Sequence, residues 1–215
     1  MATLLVEIGC EELPASACAQ ALGQLPKLAE DALGFAPSQV LITPRRLTAL
    51  FEDVPESTQD RWIKGPPVAM AEKAAAGFAK RHGIGVDDLE ERDGHLGVEK
   101  AGQAMAEVLP EQVDAIIRGF RFSKSMRWDG SGLRFARPVR WTLVILGDQK
   151  VVGDTSYGHR FTAGAVEIAS AGDYVETMRA AGVEPDQDKR MNAITRSLGD
   201  LGDWSDPGKV LGEVV

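Results

Sequence analysis

Cysteine is scarce in this 215-residue chain. Only Cys10 and Cys18 occur, which excludes a disulfide-built scaffold. Two thiols and three scattered histidines, His82, His95 and His159, form no metal-ligand spacing, so no metal site is expected. Long apolar runs are missing as well. The longest, residues 141–146, falls far short of the roughly 20 residues that cross a bilayer. The N-terminus carries no basic region, and Glu7 and Glu11 interrupt any export-signal core. No membrane partner is expected, and the thiols read as small buried hydrophobes in a reducing, cytoplasmic setting. Glycine-rich nucleotide loops are absent too: Gly83-Ile84-Gly85 follows a helical stretch and lacks the third glycine. No histidine sits beside a serine or cysteine in a nucleophile motif, so no catalytic residue is expected.

What is present is the balance of a globular protein, with 44% hydrophobic and 26% charged residues. The net charge of −8 argues against a chain that coats nucleic acid non-specifically, and DNA is not an expected partner. That average hides an asymmetry. Residues 118–140 hold Arg118, Arg121, Lys124, Arg127, Arg134, Arg137 and Arg140 against one acid, Asp129, a local +6 that leaves −14 elsewhere. A basic patch on an acidic body fits a polyanion met at one defined place.

Alternation over residues 3–9 predicts a strand. Glu11-Glu12-Leu13-Pro14 opens a helix, acids at the positive end of its dipole, that runs to Gly34 with Pro26 kinking or splitting it. Strands follow over 39–43 and 46–54, broken at Pro44-Arg45, then a rigid turn at Lys64-Gly65-Pro66-Pro67 and a helix over 68–82. A hairpin about Asp93-Gly94 spans 89–100, and an amphipathic helix over 103–120 is interrupted near Pro110. Residues 140–146 and 150–154 read as a second hairpin, with a helix from Pro138 as the alternative. Short helices are expected over 173–181 and 186–200. The fold expected is α+β, a mixed sheet built from hairpins with packed helices, turning helical at the C-terminal end. Residues 1–168 form the first region and 169–215 the start of a helical one. The ending Val210-Leu211-Gly212-Glu213-Val214-Val215 has no polar tail and reads as the interior of something longer.

Adjacent helical residues point about 100° apart, so Glu11-Glu12 reads as an acidic helix start rather than a paired-carboxylate site. Ser123-Lys124-Ser125-Met126-Arg127-Trp128 and Phe135-Ala136-Arg137-Pro138-Val139-Arg140-Trp141 interleave arginine with aromatics. That composition suits surfaces that hold phosphates and stack on bases; the alternative is internal ion pairing with the many acids. Thr43-Pro44-Arg45-Arg46-Leu47 and Gly158-His159-Arg160-Phe161 each present phosphate contacts or structural arginines capping carbonyls.

These segments, in order, resemble the bacterial glycyl-tRNA synthetase beta subunit family. The likeness begins at Leu5-Val6-Glu7-Ile8-Gly9-Cys10-Glu11-Glu12-Leu13-Pro14 and continues through Thr43–Leu47, Lys64–Pro67 and the 124–128 segment. It extends to the 135–141 segment, Gly158–Phe161, Asp173-Tyr174 and the apolar ending. Cys10 stands where that family commonly has threonine, and the stretch between Val152 and Gly158 is shorter than usual. The resemblance implies the N-terminal part of a longer, non-catalytic subunit of a heteromeric glycine–tRNA ligase. Its partners are then the alpha subunit and tRNA(Gly), with ATP and Mg2+ held at the alpha subunit and no cofactor in this chain. Candidate tRNA or subunit contacts are Arg45, Arg46, Lys124, Arg127, Arg137, Arg140, His159 and Arg160. A scaffold module with internally paired arginines is the alternative, and the direction in which the arginines point separates the two. An editing role lacks an activated nucleophile or metal site.

Overall fold

The structure is a computed structural model that describes residues 1–206, 209 and 211–212, apart from the side chain of Glu72. Val210, Glu213, Val214 and Val215 of the apolar ending lie outside the described residues. The elements run β1 (Ala2–Cys10), α1 (Ala15–Leu33), β2 (Gln39–Thr43), β3 (Arg46–Val54), β4 (Arg61–Pro67) and α2 (Ala71–His82). Then come β5 (Glu90–Arg92), β6 (His95–Lys100), α3 (Met105–Gly119), β7 (Met126–Arg127), β8 (Arg134–Phe135) and β9 (Val139–Leu146). β10 (Gln149–Val152), β11 (Ser156–Tyr157), β12 (Ala165–Val166), α4 (Tyr174–Ala180) and α5 (Gln187–Asp200) complete the series. The fold is α+β, with antiparallel sheets and a helical C-terminal end. No helix among the described residues is long and apolar enough to cross a membrane.

Two compact units divide the chain: residues 1–55 with 108–215, and residues 56–107 between them. The first is built on a five-stranded sheet in the order β10-β9-β1-β3-β2. β1 lies at its centre, and Leu4, Leu5, Val6, Glu7 and Ile8 are all buried, because both faces of the sheet are covered. Helix α1 lays Ala17, Ala21, Leu25 and Ala29, spaced four residues apart, as one buried row. Leu5, Leu41, Leu143 and Ile145 form a core with Ile168, Ala171, Tyr174 and Met178, so residues on both sides of position 168 share one interior.

β9 is a strand, not the helix that Pro138 could have opened. An apolar run buried on both faces loses the alternation that marks a half-exposed strand, and here it pairs with β1 from Leu4↔Leu146 to Gly9↔Trp141. Neither Pro26 nor Pro110 breaks its helix. Each lies inside one continuous element, α1 or α3. Proline removes the bond to the carbonyl four residues earlier; Leu22, which loses that bond in α1, is exposed, and the buried row of α1 continues across Pro26. In α3, Leu109, Val113, Ile116 and Ile117 supply the same continuity around Pro110.

The second unit holds a three-stranded sheet, β4-β6-β5, with α2. Lys64-Gly65-Pro66-Pro67 is the end of β4 rather than a turn. β4 is an edge strand whose register to β6 slips between Lys64 and Pro67, the position where prolines without an N–H are tolerated. The β5–β6 hairpin turns at Asp93-Gly94, both in left-handed conformation (φ 52° and 71°), as the sequence predicts.

Candidate functional site

Alternation along β1 puts Leu5, Glu7 and Gly9 on one face of the sheet, and each does something different. Leu5 joins the apolar core. Glu7 is fully buried, and its Oε1 accepts from Ser156 Oγ at 3.0 Å and Tyr174 OH at 3.1 Å. The Tyr174 hydroxyl also meets Thr48 Oγ1 at 2.9 Å. Arg46, partner of Gly9 in β3, is 2% exposed and reaches Glu7 with Nε at 3.7 Å. Its Nη2 donates to the Tyr157 carbonyl at 2.7 Å, which ties β3 to β11. Burial pushes the Tyr174 phenol well above its ordinary value, with the Glu7 charge acting in the same direction. Arg46 thus sits inside the fold.

At the sheet's end this row opens into a cleft of about 470 Å³ that gathers four candidates, Arg45, Arg46, His159 and Arg160, with Phe161 at their side. Segment 10–13 frames it: Cys10 N–H donates to Arg45 O (2.9 Å), Glu11 N–H to Pro138 O (3.0 Å) and Leu13 N–H to Pro44 O (2.6 Å). The guanidinium of Arg45 lies 5.9 Å from the Trp141 ring centre and makes no hydrogen bond or ion pair among the described residues. Loop 158–163 is pinned: His159 N–H donates to Ala181 O at 2.9 Å, and Ala163 N–H to His159 O at 2.9 Å. Gly158 is required there, since a β-carbon would lie 2.7 Å from Ala163 Cβ and 2.8 Å from Ala181 Cβ.

Glu11 and Glu12 precede α1 instead of occupying its first turn, which holds no acid. Their carboxylates take Arg140 (3.4 Å) and Arg160 (2.6 Å), and the Glu12 carbonyl accepts from Arg137 Nε at 3.2 Å. The dipole reading of these acids is therefore corrected: Pro14 caps the helix, and the acids hold arginines from two distant segments. The hydrogen bond from Arg160 to Glu12 raises the Arg160 guanidinium above its ordinary value.

The other four candidates, Lys124, Arg127, Arg137 and Arg140, lie on the exposed stretch after α3. Two glutamines of α1 hold it. Gln24 exchanges bonds with the backbone of Arg121 (2.8 and 2.9 Å), and Gln20 with Ser123 (2.8 and 3.2 Å). Beneath, Phe120, Phe122 and Phe135 pack ring on ring, while the Trp128 indole donates to Phe135 O at 3.0 Å. Of the seven basic residues here, only Arg118 and Arg140 meet a carboxylate among the described residues, Asp114 and Glu11. Arg121, Arg134 and Arg137 donate to carbonyls, which fixes the side chain but leaves its charge uncompensated. Lys124 and Arg127 make no side-chain bond among the described residues. Arg118, Arg121 and Arg134 line one groove of about 290 Å³.

Sequence reasoning missed the holders: Gln20, Gln24, Glu11 and Glu12. Nothing in their spacing announces partners more than 90 residues away. Among the described residues no cluster of three or more His, Cys, Asp or Glu could hold a metal ion.

Residues 4–211 match the family model described as "Glycyl-tRNA synthetase beta subunit". The chain is 35% identical to the glycine–tRNA ligase beta subunit of Lactobacillus delbrueckii subsp. bulgaricus, over 92% of this chain and 33% of that protein. It is 36% identical to that of Syntrophotalea carbinolica (93% and 33%) and 36% identical to that of Chromohalobacter salexigens (91% and 32%). It spans about a third of the length of these curated relatives. The motifs, their order along the chain and a match from Leu4 to Leu211 agree: this chain belongs to the glycyl-tRNA synthetase beta subunit family.

Proposed function

We propose that this chain is the N-terminal, tRNA-engaging portion of a glycine–tRNA ligase beta subunit, acting with an alpha subunit in the aminoacylation of tRNA(Gly). The observation that carries it is the 118–140 stretch. Five of its seven cations meet no carboxylate among the described residues, yet three of those five are aimed by carbonyls. Uncompensated charge held in fixed directions suits phosphate contact, whereas a scaffold spends its arginines on internal acids. Arg46 and Arg160 are spent in that second way, so the reading rests on Arg137, aimed by a carbonyl, and on Lys124 and Arg127, which no internal bond among the described residues engages. Glycyl adenylate formation, with its ATP and Mg2+, belongs in this proposal to the alpha subunit.

The test is direct titration of the chain with tRNA(Gly), alongside glycine-dependent ATP–pyrophosphate exchange. Binding that weakens steeply with salt, with exchange at background, is the expected outcome. Robust exchange from the chain alone, or no affinity for tRNA at low salt, would overturn it.

A further inference from the structure

We propose that the cleft between the Pro44-Arg45 turn and loop 158–161 holds one unstacked nucleotide of a single-stranded RNA segment. Its phosphate would lie on Arg45 and its base on Phe161. The inference rests on the tRNA reading above but concerns a different surface, and three observations on this cleft carry it.

Phe161 is 84% exposed. A phenylalanine left in water forfeits the stabilisation its burial would bring, and here mobility does not explain the exposure: the loop is held by His159 N–H to Ala181 O and Ala163 N–H to His159 O, and closed by a glycine that admits no β-carbon. The pinned backbone presents the ring to the cleft. His159 lies beside it with ring centres 6.1 Å apart, and Arg160 approaches its face at 5.7 Å. Second, Arg45 lines the same cleft, aligned against Trp141 and in no ion pair among the described residues, whereas the carboxylates there, Glu12 and Glu184, are held by Arg160 and Arg179. Third, the volume of about 470 Å³ is that of a small-molecule site rather than a groove for a helix.

A cation and an exposed aromatic on one cleft are what single-stranded nucleic acid binding uses, because every base offers a π-face and every linkage a phosphate. An acidic peptide would satisfy Arg45 but gain little from Phe161. Duplex RNA keeps its bases stacked and gains nothing from the ring.

The experiment measures binding of a fluorescein-labelled alternating C-A hexaribonucleotide to the full chain, with tRNA(Gly) titrated in parallel. Phe161→Ala is expected to weaken the hexamer about tenfold, while Phe161→Trp retains it. Arg45→Gln is expected to weaken it several-fold and to lower the salt slope by about 0.7. All three variants should keep the parent melting temperature. A six-base-pair RNA duplex should compete poorly. The cleft proposal fails alone if tRNA(Gly) binds the parent while Phe161→Ala and Arg45→Gln bind hexamer and tRNA as the parent does. It fails also if hexaglutamate displaces the hexamer at equal concentration. Should neither RNA bind the parent, the cleft and the tRNA reading fall together.

Discussion

The indole of Trp141 occupies the space that a β-carbon on Gly9 would need: such a carbon would lie 1.8 Å from Trp141 Cε2. The two are paired across β1 and β9, and Arg46 faces Gly9 from β3 on the other side. One glycine in a central strand therefore seats the tryptophan against which Arg45 and Arg46 are both aligned.

Gly9→Ala should displace that ring and destabilise the fold by about 1–3 kcal/mol, the cost of overpacking a tight interior. Thermal denaturation checks it. A melting temperature equal to the parent's would show that Trp141 has room to move and that the fit is not a constraint.

The Glu7–Arg46 pair gives a sharper case, because both partners are buried. Arg46→Met leaves the Glu7 carboxylate without its cation, at a cost of about 3–5 kcal/mol. The double variant Glu7→Gln, Arg46→Met should recover part of that loss, since it leaves no buried charge unpaired. Strictly additive losses in denaturant titrations would mean that the two residues do not interact.

Alkaline pH probes the same interior. Burial pushes the Cys10 thiol up to about 12 from 9.0, with the neighbouring Cys18 adding to it. Tyr174 is raised as well, first by burial and then by Glu7. Groups whose folded pKa exceeds the unfolded one contribute stability that is complete below the unfolded value and lost as pH rises toward the folded one. Stability should therefore hold to about pH 9 and then fall, first through Cys10 and then through Tyr174. Cys10→Ala should shrink the earlier part of the decline, leaving the share of Cys18, whose thiol burial also raises. A denaturation midpoint constant from pH 8 to 11 would contradict this account.

Much of this architecture can be read from the chain. β2 and β3, broken at Pro44-Arg45, the turn at Asp93-Gly94 and the short helices after residue 172 follow from local patterning, and local patterning is visible in a sequence. Pro26 does not split its helix and Pro110 does not interrupt its own, because both are tolerated through packed rows that only the tertiary fold creates. Lys64–Pro67 misled, since an edge position cannot be seen before the sheet is assembled. The basic residues were legible as a cluster, yet their division was not. Arg46 and Arg45 are neighbours in sequence, but Arg46 opens β3 and is buried against Glu7, while Arg45, in the turn before it, stays half-exposed. Whether an arginine is spent internally depends on acids such as Glu11 and Glu12, which lie more than 120 residues away from their partners Arg140 and Arg160.

The exposed stretch after α3 carries the central claim, and salt dependence of tRNA(Gly) binding tests it most directly. Each phosphate contact contributes a slope of about 0.9 in log affinity against log salt on duplex regions and about 0.7 on single strands. Lys124→Gln with Arg127→Gln should lower the slope by about 1.4 to 1.8 units and weaken binding at low salt. The melting temperature should stay unchanged, because neither side chain bonds to the fold among the described residues. An unchanged slope, or a lost melting temperature with tRNA affinity intact, would contradict the account and make this surface a structural one.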